Sequence, residues 1–163
     1  MKPIILLDID GVLNPVASPA DDGGDRPKLT LDPEKSALVR KLAALGRIAW
    51  VSTWPADLVA GLESQLHLEV EPLRAVIVLR PDDDDQPTPK LRSVTRWLAR
   101  MDALGEADWD SVVWIDDVLG ADAREWAHGY TRPVLLEKPT PDVGLAEVHV
   151  VAVAVFVDSV AGG

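Results

Sequence analysis

Hydrophobic and polar positions along the 163-residue chain fall into blocks that alternate between two periods. Residues 4–9 (IILLDI) are apolar on both parities until Asp8, the mark of a strand buried on both faces. Residues 14–28, rich in Pro, Gly and Asp, predict an irregular loop. Asp32-Pro33-Glu34 supplies a cap and a proline at the first helical position. Leu38, Leu42 and Leu45 then keep helical spacing until Gly46 ends the helix. Residues 47–52 (RIAWVS) predict a second strand, 55–67 (PADLVAGLESQLH) a helix, and 75–79 (AVIVL) a third strand. Residues 80–89 (RPDDDDQPTP) predict a polar loop whose four consecutive aspartates repel one another and stay solvated. Thr88-Pro89 predicts a cap and first-turn proline for a helix over 90–103. Residues 111–115 (SVVWI) are a fourth strand running into Asp116-Asp117. Residues 121–128 form a short helix and 133–136 (PVLL) a fifth strand. The tail admits two readings. Val and Phe favour a strand, whereas Leu145, Val148, Ala152, Val155 and Ser159 share a helical face that Asp142 could cap; helix is the preferred one.

Strand and helix alternating about five times predict an α/β fold, a mostly parallel sheet of about five strands with helices on both faces. No repeat or linker divides the chain, so residues 1–163 read as one domain, a length that supports a sizeable core. The absence of cysteine excludes disulfides and thiolate metal sites and suits a reducing cytoplasm. Asp8 breaks the amino-terminal apolar run, which argues against a signal peptide. The valine-rich run 148–157, flanked by Glu147 and Asp158, is shorter than the ~20 residues that span a bilayer. Lys+Arg number 16 against 27 Asp+Glu, a net charge of −11. That balance argues against nonspecific nucleic-acid binding. It leaves open a site where a cation offsets converging carboxylates and handles phosphate.

Ligands of a parallel sheet sit beyond the carboxyl ends of its strands, so the strand ends carry the candidate chemistry. The first strand ends in Asp8 and Asp10, the second in Ser52 and Thr53, the fourth in Asp116 and Asp117, and Lys90 opens the helix before the fourth. A turn at Gly11, which lacks a Cβ, lets Asp8 and Asp10 approach one centre from different sides. One carboxylate can then attack an electrophile while the other protonates the leaving group. Asp116 completes an oxygen-rich site for a hard cation such as Mg2+. The Ser52 hydroxyl and the Lys90 ammonium suit phosphoryl oxygens.

This set resembles the haloacid dehalogenase (HAD) superfamily. Asp8-Ile9-Asp10-Gly11-Val12-Leu13-Asn14 looks like its first motif, DxDGxLx after an apolar strand. Ile48-Ala49-Trp50-Val51-Ser52 looks like the second, Lys90 matches the motif-three lysine, and Val112 to Asp117 matches the acidic fourth motif. All four occur in family order. The stretch WVSTW, Trp50 to Trp54, also resembles a small branch of the superfamily, some members of which are linked to RNA-repair proteins. The resemblance implies a Rossmann-like three-layer α/β/α fold and a Mg2+-dependent phosphohydrolase. In it Asp8 would be the nucleophile that becomes an aspartyl-phosphate, and Asp10 the general acid and then base. Asp8, the Asp10 backbone carbonyl and Asp116 would hold Mg2+, and Ser52 and Lys90 would bind the phosphoryl group. Dehalogenase members generally lack the second aspartate, so Asp10 favours a phosphatase.

Thr53 competes with Ser52 for the second-motif hydroxyl; Ser52, directly after the apolar run, is preferred. Asp117 reads as a further ligand, a neighbour of one, or a helix cap, and Asp122 as the cap of the helix over 121–128. The bland reading of Lys90, a surface residue at a helix start, conflicts with the helix dipole unless an anion faces it. His67, His128 and His149 make no ligand spacing. Trp50, Trp97, Trp114 and Trp126 read as core, whereas Trp54, at the rim, either stacks on a substrate or covers the core edge. Residues 14–31 and 54–79 leave no room for a large cap domain, so the resemblance is to a capless member with an open site. Such a site suits a phosphorylated substrate, a macromolecule included. Two alternatives stand beside the phosphomonoesterase: a catalytically weak HAD-fold binding or regulatory module, and a nucleic-acid-end phosphatase linked to RNA repair.

Overall fold

The structure is a computed structural model that describes residues 1–18 and 28–162. In chain order its elements are β1 (Lys2–Leu7), a hairpin of β2 (Val16–Ser18) and β3 (Lys28–Thr30), α1 (Pro33–Leu45), β4 (Arg47–Trp50), α2 (Ala56–Leu66), β5 (Leu73–Arg74), α3 (Leu91–Ala103), β6 (Trp109–Ile115), α4 (Ala121–Gly129), β7 (Val134–Glu137) and α5 (Glu147–Ala161). The main sheet has five strands in the order β5-β4-β1-β6-β7, and every pair in it is parallel.

The uniform hydrophobicity of β1 follows from its central place. Ile5 and Leu7 face a core layer built with Leu38, Val39 and Leu42 of α1, Val59, Leu62 and Leu66 of α2, and Val150 and Val153 of α5. Ile4 and Leu6 face the opposite layer with Val94, Trp97, Leu98 and Met101 of α3 and Ala123 of α4. All four β1 side chains are fully buried, each contributing on the order of 1.5–3 kcal/mol by transfer out of water. The sheet thus lies between two helical layers, a three-layer, Rossmann-like α/β architecture. The predicted cap at Asp32 is present: its Oδ1 accepts from the Glu34 amide at 2.8 Å. Trp50 and Trp114 are fully buried, and Trp97 stacks on Trp109 with centroids 5.9 Å apart.

Several expectations are corrected. Part of the predicted loop over 14–28 is strand: β2 and β3 pair antiparallel, Ala17 opposite Leu29. Three-residue strands are too short to show a period, and residues 19–27 lie outside the described residues. Gln65 of α2 anchors the hairpin, accepting from the Leu31 amide and donating to the Leu29 carbonyl. The third strand is Leu73–Arg74, and residues 75–79 leave the ladder after the Ala75 amide donates to the Trp50 carbonyl. β5 is an edge strand whose neighbour β4 ends at Trp50, so AVIVL has no partner to continue along. The four aspartates lie in a 3-10 turn, Pro81–Asp85, and one of them is not solvated. Asp83 is buried, accepts from the Arg80 amide at 2.7 Å and pairs with Arg92 at 2.7 Å. Those bonds, Arg92's first, hold its carboxyl down to about 2. The tail is helical, but Ala146 rather than Asp142 is its cap residue, and His149 Nδ1 accepts from the Ala146 amide at 3.0 Å.

Candidate active site

Register brings the carboxylates together. Leu7 pairs with Ile115 and with Trp50, so Asp8 and Asp116 emerge side by side at the carboxyl edge and the Val51-Ser52 segment flanks them. The order of the strands reverses around β1, the place where a parallel sheet opens a crevice. After Asp8 the chain makes a helical turn in which the Ile9 carbonyl accepts from the Val12 and Leu13 amides. Gly11 has φ +74°, and a Cβ there would overlap Oδ2 of Asp117. Its glycine is therefore required twice, by conformation and by the close approach of a carboxylate.

All seven predicted residues line one pocket of about 310 Å3: Asp8, Asp10, Ser52, Thr53, Lys90, Asp116 and Asp117. Lys90 Nζ donates to Asp8 Oδ1 at 2.6 Å and to Asp116 Oδ2 at 3.2 Å, with a third bond to the Val51 carbonyl at 3.0 Å. It is the cap residue of α3, where the helix dipole disfavours a cation; the two carboxylates outweigh that. Asp8, Ser52 and Asp116 are buried, whereas Thr53 is exposed. Ser52 Oγ accepts from the Trp54 amide at 3.0 Å, which leaves its hydroxyl proton free to donate to a phosphoryl oxygen.

Burial pushes the Asp8 carboxyl up to about 8; the charge on Asp116 adds to the rise and Lys90 opposes it. Burial raises Asp116 too, again against Lys90. Burial acts to lower Lys90, but the charges of Asp116 and Asp8 outweigh it and the ammonium is held above its usual value. Carboxylate oxygens of Asp8, Asp116 and Asp117 lie within 4.8 Å of one another. Three carboxylates facing one ammonium leave a formal charge of −2 when all are ionised, and an all-oxygen set of that charge fits a hard divalent cation. Asp117, read as ligand, neighbour or cap, thus joins the acidic cluster. The Asp10 carboxylate does not; it turns toward Trp54, whose Nε1 donates to Asp10 Oδ2 at 2.9 Å.

Trp54 packs against the core edge, one of the two roles expected of it, and beyond both it fixes a carboxylate of the site. It is itself held, its amide by Ser52 and its carbonyl by the Arg74 guanidinium. A second arrangement lay outside the sequence reading. The Thr88 hydroxyl donates to Asp122 Oδ1 at 2.6 Å and accepts from the Gly120 amide at 2.7 Å, and the Thr88 amide donates to Asp122 Oδ2 at 3.2 Å. Thr88 does not cap α3 with its side chain and Asp122 is not the cap of α4, which starts behind Gly120. Together they clasp the segment carrying Lys90 to the segment following Asp116. No spacing in the sequence signals it, because the partners are 34 residues apart. Leu79, Asp84, Pro89 and Val118 complete the pocket wall.

Comparison with curated proteins and with solved structures gave no match. A family model does match: residues 4–150 fit the one described as the HAD domain in Swiss Army Knife RNA repair proteins. That match covers all four motifs, and the chain belongs to this family.

Proposed function

We propose that the chain is a Mg2+-dependent phosphomonoesterase that works through an aspartyl-phosphate on Asp8. The observation that carries the reading is the bridge of Lys90 between Asp8 and Asp116, with Asp117 beside them. It is a buried, charge-deficient oxygen site at the crevice of the sheet, and perturbed groups of this kind mark functional sites. Asp8, the Asp10 backbone carbonyl and Asp116, with Asp117 adjacent, would hold Mg2+. When bound, the cation supplies positive charge that keeps Asp8 ionised and offsets the charge of the phosphoryl group.

The chain's own groups do the rest. An Asp8 oxygen attacks phosphorus; the bond from phosphorus to the ester oxygen breaks, and Asp10 gives that oxygen its proton. Asp10, now a carboxylate, takes a proton from water as the water oxygen attacks the same phosphorus. The acyl-phosphate bond breaks, releasing inorganic phosphate and restoring Asp8. The Ser52 hydroxyl and Lys90 ammonium hold the remaining phosphoryl oxygens, and Trp54 keeps Asp10 in place. In this reading residues 1–163 are one domain with no large cap, and the protein acts in the cytoplasm. No helix among the described residues is long and apolar enough to cross a membrane.

The test is hydrolysis of an aryl phosphate with and without Mg2+ by wild type and Asp8→Asn. Mg2+-dependent turnover that disappears in the variant is expected. Equal rates for the two proteins across a panel of phosphomonoesters would leave the catalytically weak binding or regulatory module as the reading. The family description favours a second, narrower version, in which the phosphoryl group is carried on an RNA end.

A further inference from the structure

A groove of about 560 Å3 runs along α3 outside the catalytic pocket. Arg92, Arg96 and Arg100 lie on it at successive four-residue steps, about 6 Å apart along the helix, and Arg80 joins them from the opposite wall. That wall is the 75–80 segment released from the sheet. It is fixed to α3 by Ser93 Oγ, which accepts from the Val78 amide and donates to its carbonyl, and by Arg92, which donates to the same carbonyl at 2.7 Å. Val76 and Val78 are left more than half exposed, as an apolar lip. Glu106 is the one acidic residue lining the groove, in a chain whose net charge is −11. Arg92 is paired with Asp83. Among the described residues Arg80, Arg96 and Arg100 make no salt bridge, and all three are exposed.

The groove and the catalytic pocket are lined by neighbouring residues of the same two segments. Leu79 and Lys90 line the pocket, while Arg80, next to the one, and Arg92, two residues from the other, line the groove. We propose that this groove binds the backbone of a single-stranded RNA whose terminal phosphate enters the catalytic pocket, with Arg80, Arg96 and Arg100 each meeting a backbone phosphate. The proposal rests on the RNA-end reading above. It is compatible with the overall charge of −11, because a local run of arginines offers phosphates an attractive track on a chain that is acidic as a whole. The apolar lip offers base faces a surface without sequence preference. An acidic peptide would also meet the charge, but it would have no reason to run out of a phosphate-binding pocket.

The test is the affinity of the full chain, in EDTA so that no turnover intervenes, for a labelled, phosphate-ended single-stranded RNA of about ten nucleotides. Three phosphate contacts predict that affinity falls roughly twentyfold between 50 and 200 mM salt. For Arg96→Gln/Arg100→Gln two of these three contacts are lost and the fall shrinks by about sevenfold. At the lower salt this variant, and Arg96→Glu/Arg100→Glu still more, should bind at least tenfold more weakly than wild type while hydrolysing an aryl phosphate at the wild-type rate. Unchanged affinity and salt slope in both variants overturns the proposal, as does a wild type that ignores RNA and binds a Glu-rich peptide. Arginine-dependent RNA binding by a chain inactive on every phosphomonoester supports the groove and sinks the phosphatase. Intact hydrolysis with RNA binding indifferent to the arginines does the reverse.

Discussion

Replacing Asp8 with asparagine should stabilise the metal-free protein while abolishing turnover. The reason is the crowding of charge around Lys90. In the folded chain the Asp8 carboxyl is raised from 3.8 to about 8, first by burial and then by Asp116. A carboxyl raised on folding holds its proton in the folded state over a range where the unfolded chain has already released it. Stability is therefore lost as pH climbs from about 4 to about 8. At about 1.4 kcal/mol per unit, the loss is at most about 5–6 kcal/mol. Asp116 titrates together with Asp8, and Lys90 remains charged beside both, so we take about 2 kcal/mol as the share that Asp8→Asn removes near pH 8. Lys90 keeps Asp116 as a partner at 3.2 Å, so the substitution strands no buried cation, the usual reason for large losses when an ion pair is cut.

For a chain of this size about 2 kcal/mol corresponds to a rise in Tm of roughly 4–8 °C. Differential scanning calorimetry in EDTA at pH 8 and pH 5 measures it. The advantage of the variant should be present at pH 8 and shrink below about 1 kcal/mol at pH 5, where less of the loss has accrued. Mg2+ should raise the Tm of wild type more than that of the variant, because the cation neutralises the charge that Asp8 contributes. A variant that is no more stable than wild type at pH 8, or a gap that does not change with pH, refutes the reasoning.

Two other substitutions test the geometry. Trp54→Phe removes the bond to Asp10 and keeps most of the packing; a hydrogen bond of about 1 kcal/mol predicts a kcat about fivefold lower on an alkyl phosphate. The loss should be under about twofold on a nitrophenyl phosphate, whose leaving group has little need of a proton, and equal losses on both would remove Asp10 positioning as the role of Trp54. Gly11→Ala forces a side chain onto a positive-φ residue and against Asp117. A cost of at least about 1–2 kcal/mol is expected, read as a lower urea midpoint at unchanged m-value, and a midpoint within error of wild type would contradict the required close approach.

What the sequence made legible was whatever local period and strand ends encode. The β1 run, the Asp32 cap and the four carboxylates at the ends of β1 and β6 were all visible, because each depends on neighbours within a few residues and on the rule that strand ends converge. Three kinds of feature were not. The strand over 75–79 failed because ladder pairing depends on where β4 stops, which AVIVL does not record. Asp83 reads as solvated because the local signal is repulsion among four adjacent aspartates, whereas its partner, Arg92, comes from a different element. Trp54 and the Thr88–Asp122 clasp escaped because their partners are 44 and 34 residues away. In each case the side chain was ordinary by itself and acquired its role from the fold.

α3 ties these threads together. Its amino-terminal end, capped by Lys90, is held at the rim by two carboxylates and by the clasp of Thr88 on Asp122. Its apolar face is fixed to the sheet through Val94, Trp97, Leu98 and Met101. The opposite face is then forced outward, and that is where Arg96 and Arg100 stand. One amphipathic helix thus sets the lysine of the pocket and the arginines of the groove in a fixed relation, about four residues per step. A substrate that reached both would be measured against a rigid spacing. The arrangement makes a sharp demand on any RNA reading: lengthening the strand should improve binding only until it has passed Arg100, a span of about 15 Å from Lys90 at 1.5 Å per residue, and nucleotides beyond that point should add nothing further along α3.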